Sequence, residues 1–527
     1  MLEGLLLLAD GGVILYALLG VLVVTVVAVI PGLGGVFAIV ILLPFAFRLD
    51  PISAIALLIA AAVVSGTANT VTSVLLGVPG SSTAVATVLD GYPMAKRGEG
   101  TRAIAAGLTA SALGGVFGGL TLGLLIPVMR PLVLLLGPAE FLVIIAGALV
   151  TMAAVGPGSP SRIMMGVCLG LVLGTVGLEP STATERFTFG QLYLWDGLKI
   201  VPAMIGLFAF AEMSALMRKG TSIADLAAVR ESNSRQIAQG IRDVLTRKRL
   251  LLQSSLVGVI VGIAPGIGAT AGQFMAYGQA TRTEGPVDEH GRAFGEGRVE
   301  GVIGADAATN SVDGGSLIPT LALGIPGSVP MAILLAVFIS LGVTPGVKLL
   351  TENVDIVWMI IWLLIGANLV AAVVTMGITP LLARVAFVPT VFLVPPVLAF
   401  CVAGAYATSN NFRDVLVAFA FGFIGIGLDK AGISRVPFII GFVLGPLLER
   451  YFLLSMRLYG WGVLARPGVQ TIILILAVLT FAGPVRRRLV GGGAQADAQA
   501  VVARASGQVD GARHDVPIPH DDEESDR

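Results

Sequence analysis

Charged residues are scarce in this sequence. Asp, Glu, Lys and Arg make up 13% of its 527 residues, whereas hydrophobic residues make up 55%. A soluble domain carries about 25% charged residues, so this composition excludes an ordinary soluble protein. The mean hydropathy of +0.91 indicates a polytopic membrane protein in contact with lipid. Because the formal net charge is +0, the chain has no general attraction for nucleic acid.

Cysteine and histidine are also rare. Cys168 and Cys401 stand far apart in apolar runs, so we expect small buried side chains rather than a disulfide or a metal site. The three histidines lie outside the apolar runs, which argues against a His-ligated metal centre. The sequence contains no Walker-type phosphate loop and no Ser/His pair within a span. It therefore predicts neither an ATP-driven pump nor an enzyme such as an intramembrane protease, and no cofactor.

Glycine and proline are abundant, and one five-residue phrase containing both occurs twice. Gly77–Ser81 reads Gly-Val-Pro-Gly-Ser, and Gly324–Ser328 reads Gly-Ile-Pro-Gly-Ser. Both residue types interrupt helices. In lipid, an interrupted helix is tolerated only where protein or a water-filled cavity satisfies the freed backbone groups. Matched interruptions in two halves of a membrane protein point to the binding site of a transporter.

Further matches occur in the same order in both halves. The phrase that begins at Pro31 (Pro-Gly-Leu-Gly) matches the one at Pro265 (Pro-Gly-Ile-Gly), and Phe141-Leu-Val matches Phe392-Leu-Val. A Gly-rich segment that begins at Gly174 and ends in Glu179 has a counterpart that ends in Asp429. We interpret these matches as a duplication, with residues 1–217 as the first transmembrane repeat and 250–485 as the second.

The distribution of basic residues predicts how the chain is oriented. The hydrophilic linker 218–249, which includes an amphipathic helix, is rich in Arg and should face the cytoplasm, as should the tail 486–527, which we expect to be disordered. Equivalent loops in the two halves carry different charge, which predicts opposite sides of the membrane. The predicted fold is therefore an all-α polytopic membrane protein. It is an inverted-topology repeat with two re-entrant broken-helix hairpins and roughly a dozen crossings.

The broken helices form the candidate substrate site. A half-helix N-terminus inside the membrane exposes backbone N–H groups with partial positive charge, which favours an anion. Two such termini would hold a solute with several carboxylates. The alternative interpretation is a packing kink with an N-cap. The candidate substrate-binding residues are Asn69, Ser73, Pro79, Gly80, Ser81, Ser82, Thr83, Pro326, Gly327 and Ser328.

A candidate ion-coupling site precedes the second break. Asp306, Asn310 and Asp313 are spaced so that they share one helical face. Intramembrane carboxylates are costly and mark functional sites, and oxygen ligands suit a hard cation or a proton relay. In the alternative interpretation Asp306 lies near the interface and the Asp313-Gly-Gly sequence ends a helix near water. For Asp90 we expect a residue that caps or ends its helix. Beyond a possible sodium ion, no metal is predicted.

Several motifs together resemble one family. They are the two Pro-Gly-Ser phrases with Asp90–Gly98, Phe294–Gly297 and Gly342–Gly346. These motifs are similar to those of the large membrane subunit of tripartite tricarboxylate transporters, the TctA family, over about residues 1–485. The resemblance implies a permease of the bacterial inner (cytoplasmic) membrane that imports a di- or tricarboxylate. It also implies a small TctB-like membrane subunit, a periplasmic TctC-like solute-binding protein, and a sodium or proton gradient as the driving force.

The sequence departs from the family pattern at the candidate ion site. Where the family usually has Glu-Ala-Ala-Asn-Asn, this chain has Asp306-Ala-Ala-Thr-Asn310, and Asp313 replaces a small residue. The lining of the site therefore differs, and the identity of the carboxylate stays open. So does the mode of alternating access, by an elevator or a rocking motion. The alternative function is a stand-alone carboxylate permease, an exporter or a channel that lacks a binding-protein partner.

Overall fold

The structure, a computed structural model, describes residues 2–30, 33–77, 81–156, 158–179, 182–219, 234–265, 268–385 and 390–490. Pro79, Gly80, the middle of the linker and the tail beyond residue 490 lie outside the described residues, so the predictions for them are not addressed. The chain divides into two units, residues 1–485 and 486–527, and both halves of the predicted repeat belong to the first.

The described residues fold almost entirely into α-helices joined by short turns. A π-helical segment, Ile205–Phe210, connects α10 to α11, and two short strands, β1 (Gly177–Leu178) and β2 (Glu185–Arg186), pair antiparallel. The helices are α1 (Leu2–Leu8), α2 (Gly11–Ala28), α3 (Gly34–Ala46), α4 (Pro51–Val63), α5 (Asn69–Leu76), α6 (Val85–Lys96), α7 (Gly100–Leu135), α8 (Pro138–Val155), α9 (Pro160–Gly174), α10 (Ile200–Met204), α11 (Ala211–Lys219), α12 (Ser234–Thr246), α13 (Lys248–Ile263), α14 (Gly268–Thr283), α15 (Val299–Leu323), α16 (Val329–Ser340), α17 (Val347–Thr351), α18 (Val354–Val385), α19 (Thr390–Ala407), α20 (Phe412–Lys430), α21 (Arg435–Tyr459) and α22 (Pro467–Val490).

Length and composition identify membrane-spanning helices. Within the described residues, 5 helical segments are long and apolar enough to cross a membrane. They are Gly11–Ala28, Gly100–Leu135, Ile200–Met217, Val354–Leu382 and Arg435–Ala465. Further apolar helices, such as α3, α4 and α16, are shorter than the roughly 20 residues that a span requires. The chain is therefore an all-α, multi-pass membrane protein.

The two halves exchange equivalent contacts. The long helix α7 of the first half packs along α15 of the second, and α18 of the second half packs against α4 and α2 of the first. The same exchange pairs α9 with α21 and α20 with the π-helical segment. Equivalent helices of the two halves thus have equivalent partners in the other half. These contacts support the duplication, whereas opposite crossing directions of the halves in the membrane stay a prediction.

The described residues at the two ends of each Pro-Gly-Ser break share their backbone conformation. Gly77 and Gly324 have left-handed φ angles of 65° and 68°, which glycine adopts without the cost of a side chain. Ser81 and Ser328 are both extended, with φ of −149° and ψ of 171° and 172°. The helices before the breaks differ. The first break follows the 8-residue α5, whereas the second follows the 25-residue α15.

Some expectations about single residues were wrong. Asp90 does not end its helix, because α6 continues through Pro93 to Lys96. The Asp313-Gly-Gly sequence does not end α15, which continues to Leu323. Its glycines serve close packing instead, since a Cβ on Gly314 would lie 2.5 Å from the backbone of Gly118 on α7. Of the cysteines, Cys401 is buried as expected, but Cys168 is exposed on α9.

The basic segments meet at one end of the molecule. On α12 the side chain of Val244 is buried, and this helix packs on the first turns of α7. Arg102 of α7 pairs with Asp243 of α12 at 2.7 Å. Arg247, which follows α12, pairs with Glu300 at the start of α15, also at 2.7 Å. The linker helix therefore lies at the same end as the loops before α7 and α15, and its predicted location in the cytoplasm stays a prediction.

Candidate functional site

The turn before α5 lies directly against the middle of α15. A Cβ added to Gly66 would lie 2.5 Å from Cγ2 of Thr309, 3.4 Å from Oδ1 of Asn310 and 4.0 Å from Oγ1 of Thr83. Only glycine permits so close an approach. The turn therefore joins the residues after the first break to the polar stretch of the second half, as two halves of one site would be joined.

Asn69 organises the hydroxyl groups that follow the first break. Its Nδ2 donates to Oγ of Ser81 at 2.8 Å and to the carbonyl oxygen of Ser65 at 3.2 Å. Ser81 Oγ lies 2.7 Å from Oγ1 of Thr83 and accepts the Thr83 N–H at 3.3 Å. Ser81 is thus an N-cap, as the alternative interpretation expects, but it also belongs to a wider polar cluster.

Ser73 and Ser82 contribute differently. Oγ of Ser73 donates to the carbonyl oxygen of Ala84 at 3.0 Å, which fastens α5 to the segment after the break. Ser73 is fully buried, so its hydroxyl is engaged in structure. Ser82 begins the 3-10 turn Ser82–Ala84, and its side chain lies outside the described part of the structure. The first-break hydroxyls that the structure brings together are therefore those of Ser81 and Thr83.

Asp306 lies where three first-half helices meet α15. Its side chain is buried, and Oδ1 accepts hydrogen bonds from Thr70 of α5 at 3.2 Å and from Thr87 of α6 at 3.0 Å. A Cβ on Gly107 of α7 would collide with Oδ2. Oδ2 itself has no hydrogen-bond partner among the described residues. Asp306 is 1% exposed and therefore lies inside the protein, whereas its depth in the membrane stays a prediction.

Asn310 forms a second contact between the halves. Its Nδ2 donates to Oγ1 of Thr67 at 2.7 Å and to Oδ1 of Asn368 on α18. Asn368 Nδ2 in turn donates to the Leu364 carbonyl oxygen at 2.7 Å, and a carbonyl only accepts. This chain of bonds determines how both amides are oriented. Oδ1 of Asn310 is left buried and, within the described residues, without a partner.

Gln273 of α14 completes the polar lining. Its Nε2 donates to Oγ1 of Thr309 at 2.5 Å, while the Thr309 hydroxyl donates to the Ala305 carbonyl oxygen at 3.2 Å. The amide orientation is again determined by a backbone acceptor. Gln273 Oε1 and Asn69 Oδ1 join Asn310 Oδ1 as buried oxygens to which no described residue donates.

The second break packs against the far part of α15. A Cβ on Gly327 would lie 2.8 Å from the Gly262 carbonyl oxygen and 2.9 Å from Cβ of Ser316. Pro326 is buried, and Oγ of Ser328 finds no partner among the described residues. Ser316 lies seven residues beyond Thr309, so the two breaks contact α15 at levels roughly 10 Å apart along its axis.

Asp313 is separated from the Asp306 network. It lies on the same helix, two turns closer to the second break, and is 8% exposed. The structure thus places all three predicted ion-coupling residues inside the protein. It connects Asp306 to α5 and α6, and Asn310 to α18. Asp306 and Asn310 lie one turn apart on α15, whereas among the described residues no hydrogen bond links Asp313 to either of them.

Several lining residues were missed from the sequence. Thr67, Thr70, Thr87, Gln273 and Asn368 all hydrogen-bond to a candidate residue or to its neighbour. Asn368 was detectable, since it is an isolated amide in a long apolar run, and polar groups at such positions are functional candidates. The threonines gave no such signal, because threonine is common in membrane helices.

The unpartnered atoms indicate what the site can bind. Three amide oxygens and one carboxylate oxygen accept hydrogen bonds or coordinate a cation, and they cannot donate. Oxygen ligands suit a hard cation such as sodium. Within the described residues no group of three or more His, Cys, Asp or Glu residues could hold a metal ion, so a transition-metal centre finds no support there. The hydroxyls of Ser81, Thr83 and Ser328 can donate to an anion.

Comparison with known proteins identifies one family and two relatives. Residues 14–440 match the family described as Tripartite tricarboxylate transporter TctA family. A protein of Agrobacterium vitis described as "Uncharacterized 52.8 kDa protein in TAR-I ttuC' 3'region" is 30% identical over 443 residues, 84% of this chain and 87% of that protein. A second protein from the same organism, described as "Uncharacterized protein in TAR-II ttuC' 3'region", is 33% identical over 38% of this chain and 81% of its own length. No solved structure matches the chain.

Proposed function

Since this chain belongs to the tripartite tricarboxylate transporter TctA family, we propose that it is the large permease subunit of a secondary transporter that imports a di- or tricarboxylate. The observation that carries this proposal is the cluster at the first break. Donor hydroxyls and unpartnered acceptor oxygens from both halves lie there around one glycine turn. A buried polar group without a partner costs about 1–3 kcal/mol, which a bound ligand would recover.

The substrate carboxylates would bind to the donors of the two breaks. Ser81 and Thr83 stand at the start of the segment that leads into α6, with Asn69 holding Ser81 in place. Ser328 stands at the N-terminus of α16, where its hydroxyl makes no cap bond. The two breaks contact α15 at levels roughly 10 Å apart along its axis. This separation suits a solute with a carboxylate at each end better than a solute with a single carboxylate. Pro79, Gly80, Ser82, Pro326 and Gly327 would shape the backbone of this site.

Sodium is the coupling ion that we propose. Its ligands would come from the unpartnered oxygens of Asp306, Asn310, Gln273 and Asn69. A proton relay requires groups that gain and lose protons, whereas three of these four oxygens belong to amides that do neither. Asp313 would supply a second negative charge on α15 and would attract the cation without coordinating it together with Asp306.

Further components complete the proposed transporter. The family name indicates a tripartite system with other subunits. We propose a small TctB-like membrane subunit, and a periplasmic TctC-like binding protein that delivers the carboxylate at the bacterial inner membrane. The end of the molecule opposite α12 would then receive the binding protein.

Uptake measurements on two matched variants test the ion assignment. The permease is produced with its two partner components, and labelled carboxylate uptake is followed at graded sodium concentrations and imposed pH gradients. We expect Asp306→Asn to raise the half-saturating sodium concentration at least tenfold. Asp313→Asn on the same helix should raise it less than threefold. Unchanged sodium dependence in Asp306→Asn, at normal membrane levels, would overturn the assignment.

A further inference from the structure

Asp90 is a buried carboxylate for which the proposed transport site has no use. It lies on α6 and is 0% exposed. Its Oδ1 accepts three backbone N–H groups of the loop before α15, those of Gly295 at 2.9 Å, Gly297 at 2.8 Å and Arg298 at 2.8 Å. The loop belongs to the second half of the chain and Asp90 to the first. One carboxylate therefore holds the halves together.

The loop backbone is shaped to receive this carboxylate. Gly295 and Gly297 have left-handed φ angles of 92° and 95°. Alternation of handedness along the chain turns successive N–H groups toward one point, which makes an anion-binding concavity. Other residues adopt such angles only at a cost, so the two glycines serve this geometry. We call Asp90 and the backbone of residues 295–298 the Asp90 latch.

The other side of the carboxylate is equally well fitted. The hydroxyl of Tyr277 on α14 donates to Oδ2 at 2.9 Å, and a Cβ on Gly301 would collide with that oxygen. Arg97, at the end of α6, donates to the carbonyl oxygens of Glu296 and Gly297 but not to Asp90. All four groups that donate to the carboxylate are therefore neutral, and three of them belong to the loop.

This arrangement of neutral donors around the carboxylate disfavours partial opening of the latch. When the loop is in place, its N–H groups replace water around a full negative charge. If the loop moves away without water entering, the carboxylate is left buried and unpaired, which is strongly unfavourable. If the loop moves away and water enters, the carboxylate is hydrated again. Partial opening is thus disfavoured. Either the loop covers the carboxylate and excludes water, or the loop is displaced and water hydrates the carboxylate.

The latch is mechanically connected to the candidate ion site. Thr87, one helical turn before Asp90 on α6, donates to Asp306 at 3.0 Å. One short helix therefore contacts Asp306 at one level and the loop at the next, roughly 5 Å further along its axis. A change of the bonds at Asp306 can therefore reach Asp90 through the single helix α6.

We propose that Asp90 is a positioning residue that latches the loop of residues 284–298 over the α12 end of the permease, and that this latch opens when substrate and cation are released to that side. This proposal rests on the proposed function, because only a transporter has a release step during which the latch would open. A static interpretation, in which Asp90 only staples the loop, predicts different results.

Limited proteolysis of the loop distinguishes a latch that opens from a static staple. Inside-out vesicles that contain the complete transporter are treated with trypsin, and fragments that end at Arg292 are quantified. We expect Asp90→Ala to be cut at Arg292 at least tenfold faster than the wild type. Asp243→Ala is the matched control. It removes the Arg102 partner at the same end of the molecule and should change this rate less than twofold.

Ligand dependence is the measurement that a staple would not affect. In the wild type we expect sodium with carboxylate to change cleavage at Arg292 at least threefold relative to sodium alone. In Asp90→Ala the rate should be high in both conditions. Tyr277→Phe removes one of the four donors to Asp90 and should raise the rate of cleavage two- to threefold. This variant replaces Asp90→Ala in the test if Asp90→Ala does not fold. The latch is refuted if Arg292 stays protected in both variants, or if ligands never change wild-type cleavage while uptake is normal.

Protonation of Asp288, which is hydrogen-bonded to Arg292 within the loop, does not affect this assay near neutral pH. Partial burial acts to raise the pKa of Asp288, but bonds from the Arg292 and His290 N–H groups and from the Arg292 side chain outweigh it and lower the pKa to about 2. A lowered pKa means that the stabilising contribution is present above the usual value near 4 and is lost as the pH falls through about 2. Between pH 6 and 8 the assay therefore reports the latch.

If the wild-type complex takes up no carboxylate, the proposed function fails. The cleavage difference between Asp90→Ala and Asp243→Ala still tests whether Asp90 holds the loop. The two failures are therefore distinguishable.

Discussion

The two Pro-Gly-Ser breaks match in backbone conformation at their described end residues and differ in their surroundings. Their glycines and serines agree in φ within a few degrees. At the first break, Asn69 donates to Ser81. Ser316 precedes Gly324 by as many residues as Asn69 precedes Gly77, yet its hydroxyl donates to the Gly262 carbonyl oxygen at 3.2 Å and not to Ser328.

This difference shows how a duplicated scaffold can be used unequally. The left-handed turn at the start of both breaks depends on glycine, which both copies retain. Polar lining depends on single side chains, which are free to diverge. The first break has a connected hydroxyl cluster, and the second has a single unpartnered hydroxyl in close packing with α13 and α15. We infer that the first break contributes more to specificity and the second more to the rigidity of α15.

The largest expected difference between the breaks comes from their glycines. In Gly66→Ala the new Cβ would meet the side chains of Thr309 and Asn310, whereas in Gly327→Ala it would meet the Gly262 carbonyl oxygen. Displaced site residues cost roughly 10- to 100-fold in rate. We expect Gly66→Ala to lose that much uptake at a normal membrane level, and Gly327→Ala to lose folded protein through overpacking of about 1–3 kcal/mol. Quantified immunoblots with uptake per molecule check this, and equal losses of folded protein would contradict it.

An intermediate difference is expected for the equivalent polar residues. Asn69→Ser copies the second half into the first and removes the bond to Ser81. A lost hydrogen bond near the substrate of about 1.4 kcal/mol corresponds to a tenfold change. We expect a carboxylate KM about tenfold higher. Ser316→Ala, the matched control, should change KM less than twofold. A larger effect of Ser316→Ala would show that the second break dominates recognition.

The smallest expected difference concerns the serines that follow the breaks. Ser81→Ala removes a hydroxyl with three hydrogen-bonding contacts, so we expect a few-fold lower uptake and a melting temperature lower by roughly 1–3 °C. Ser328→Ala removes a buried hydroxyl to which no described residue is hydrogen-bonded. Uptake should fall by a similar factor, but the melting temperature should stay the same or rise. A clear drop in the melting temperature of purified Ser328→Ala would show that this hydroxyl is bonded in the empty site.

Sequence reasoning recovered the class of protein and named several polar residues that the fold buries together. Both breaks, Asp306 and Asn310 were recognisable because glycine, proline and buried polar groups are costly in apolar helices. It was wrong about Asp90, and the alternative interpretation in which Asp313-Gly-Gly ends its helix was wrong as well. A Pro or a Gly-Gly pair favours the end of a helix when only the local sequence is considered. Here the glycines of α15 pack against α7 and α13, and this packing keeps the helix intact. Thr87 and Tyr277 gave no signal, because their roles depend on partners about 200 residues away.

Composition and local pattern by themselves determined that this chain is a helical membrane protein with two matched interruptions, because hydropathy and backbone chemistry are properties of single segments. Only the tertiary structure decided which polar groups meet. Whether the oxygen of an amide accepts a hydrogen bond depends on donors from another helix. The Asn368 oxygen, for example, accepts from Asn310 of α15, while the Asn368 nitrogen donates to the Leu364 carbonyl oxygen within α18. Long-range contacts of this kind have no trace in local sequence, since each partner is chosen by the packing of the whole fold.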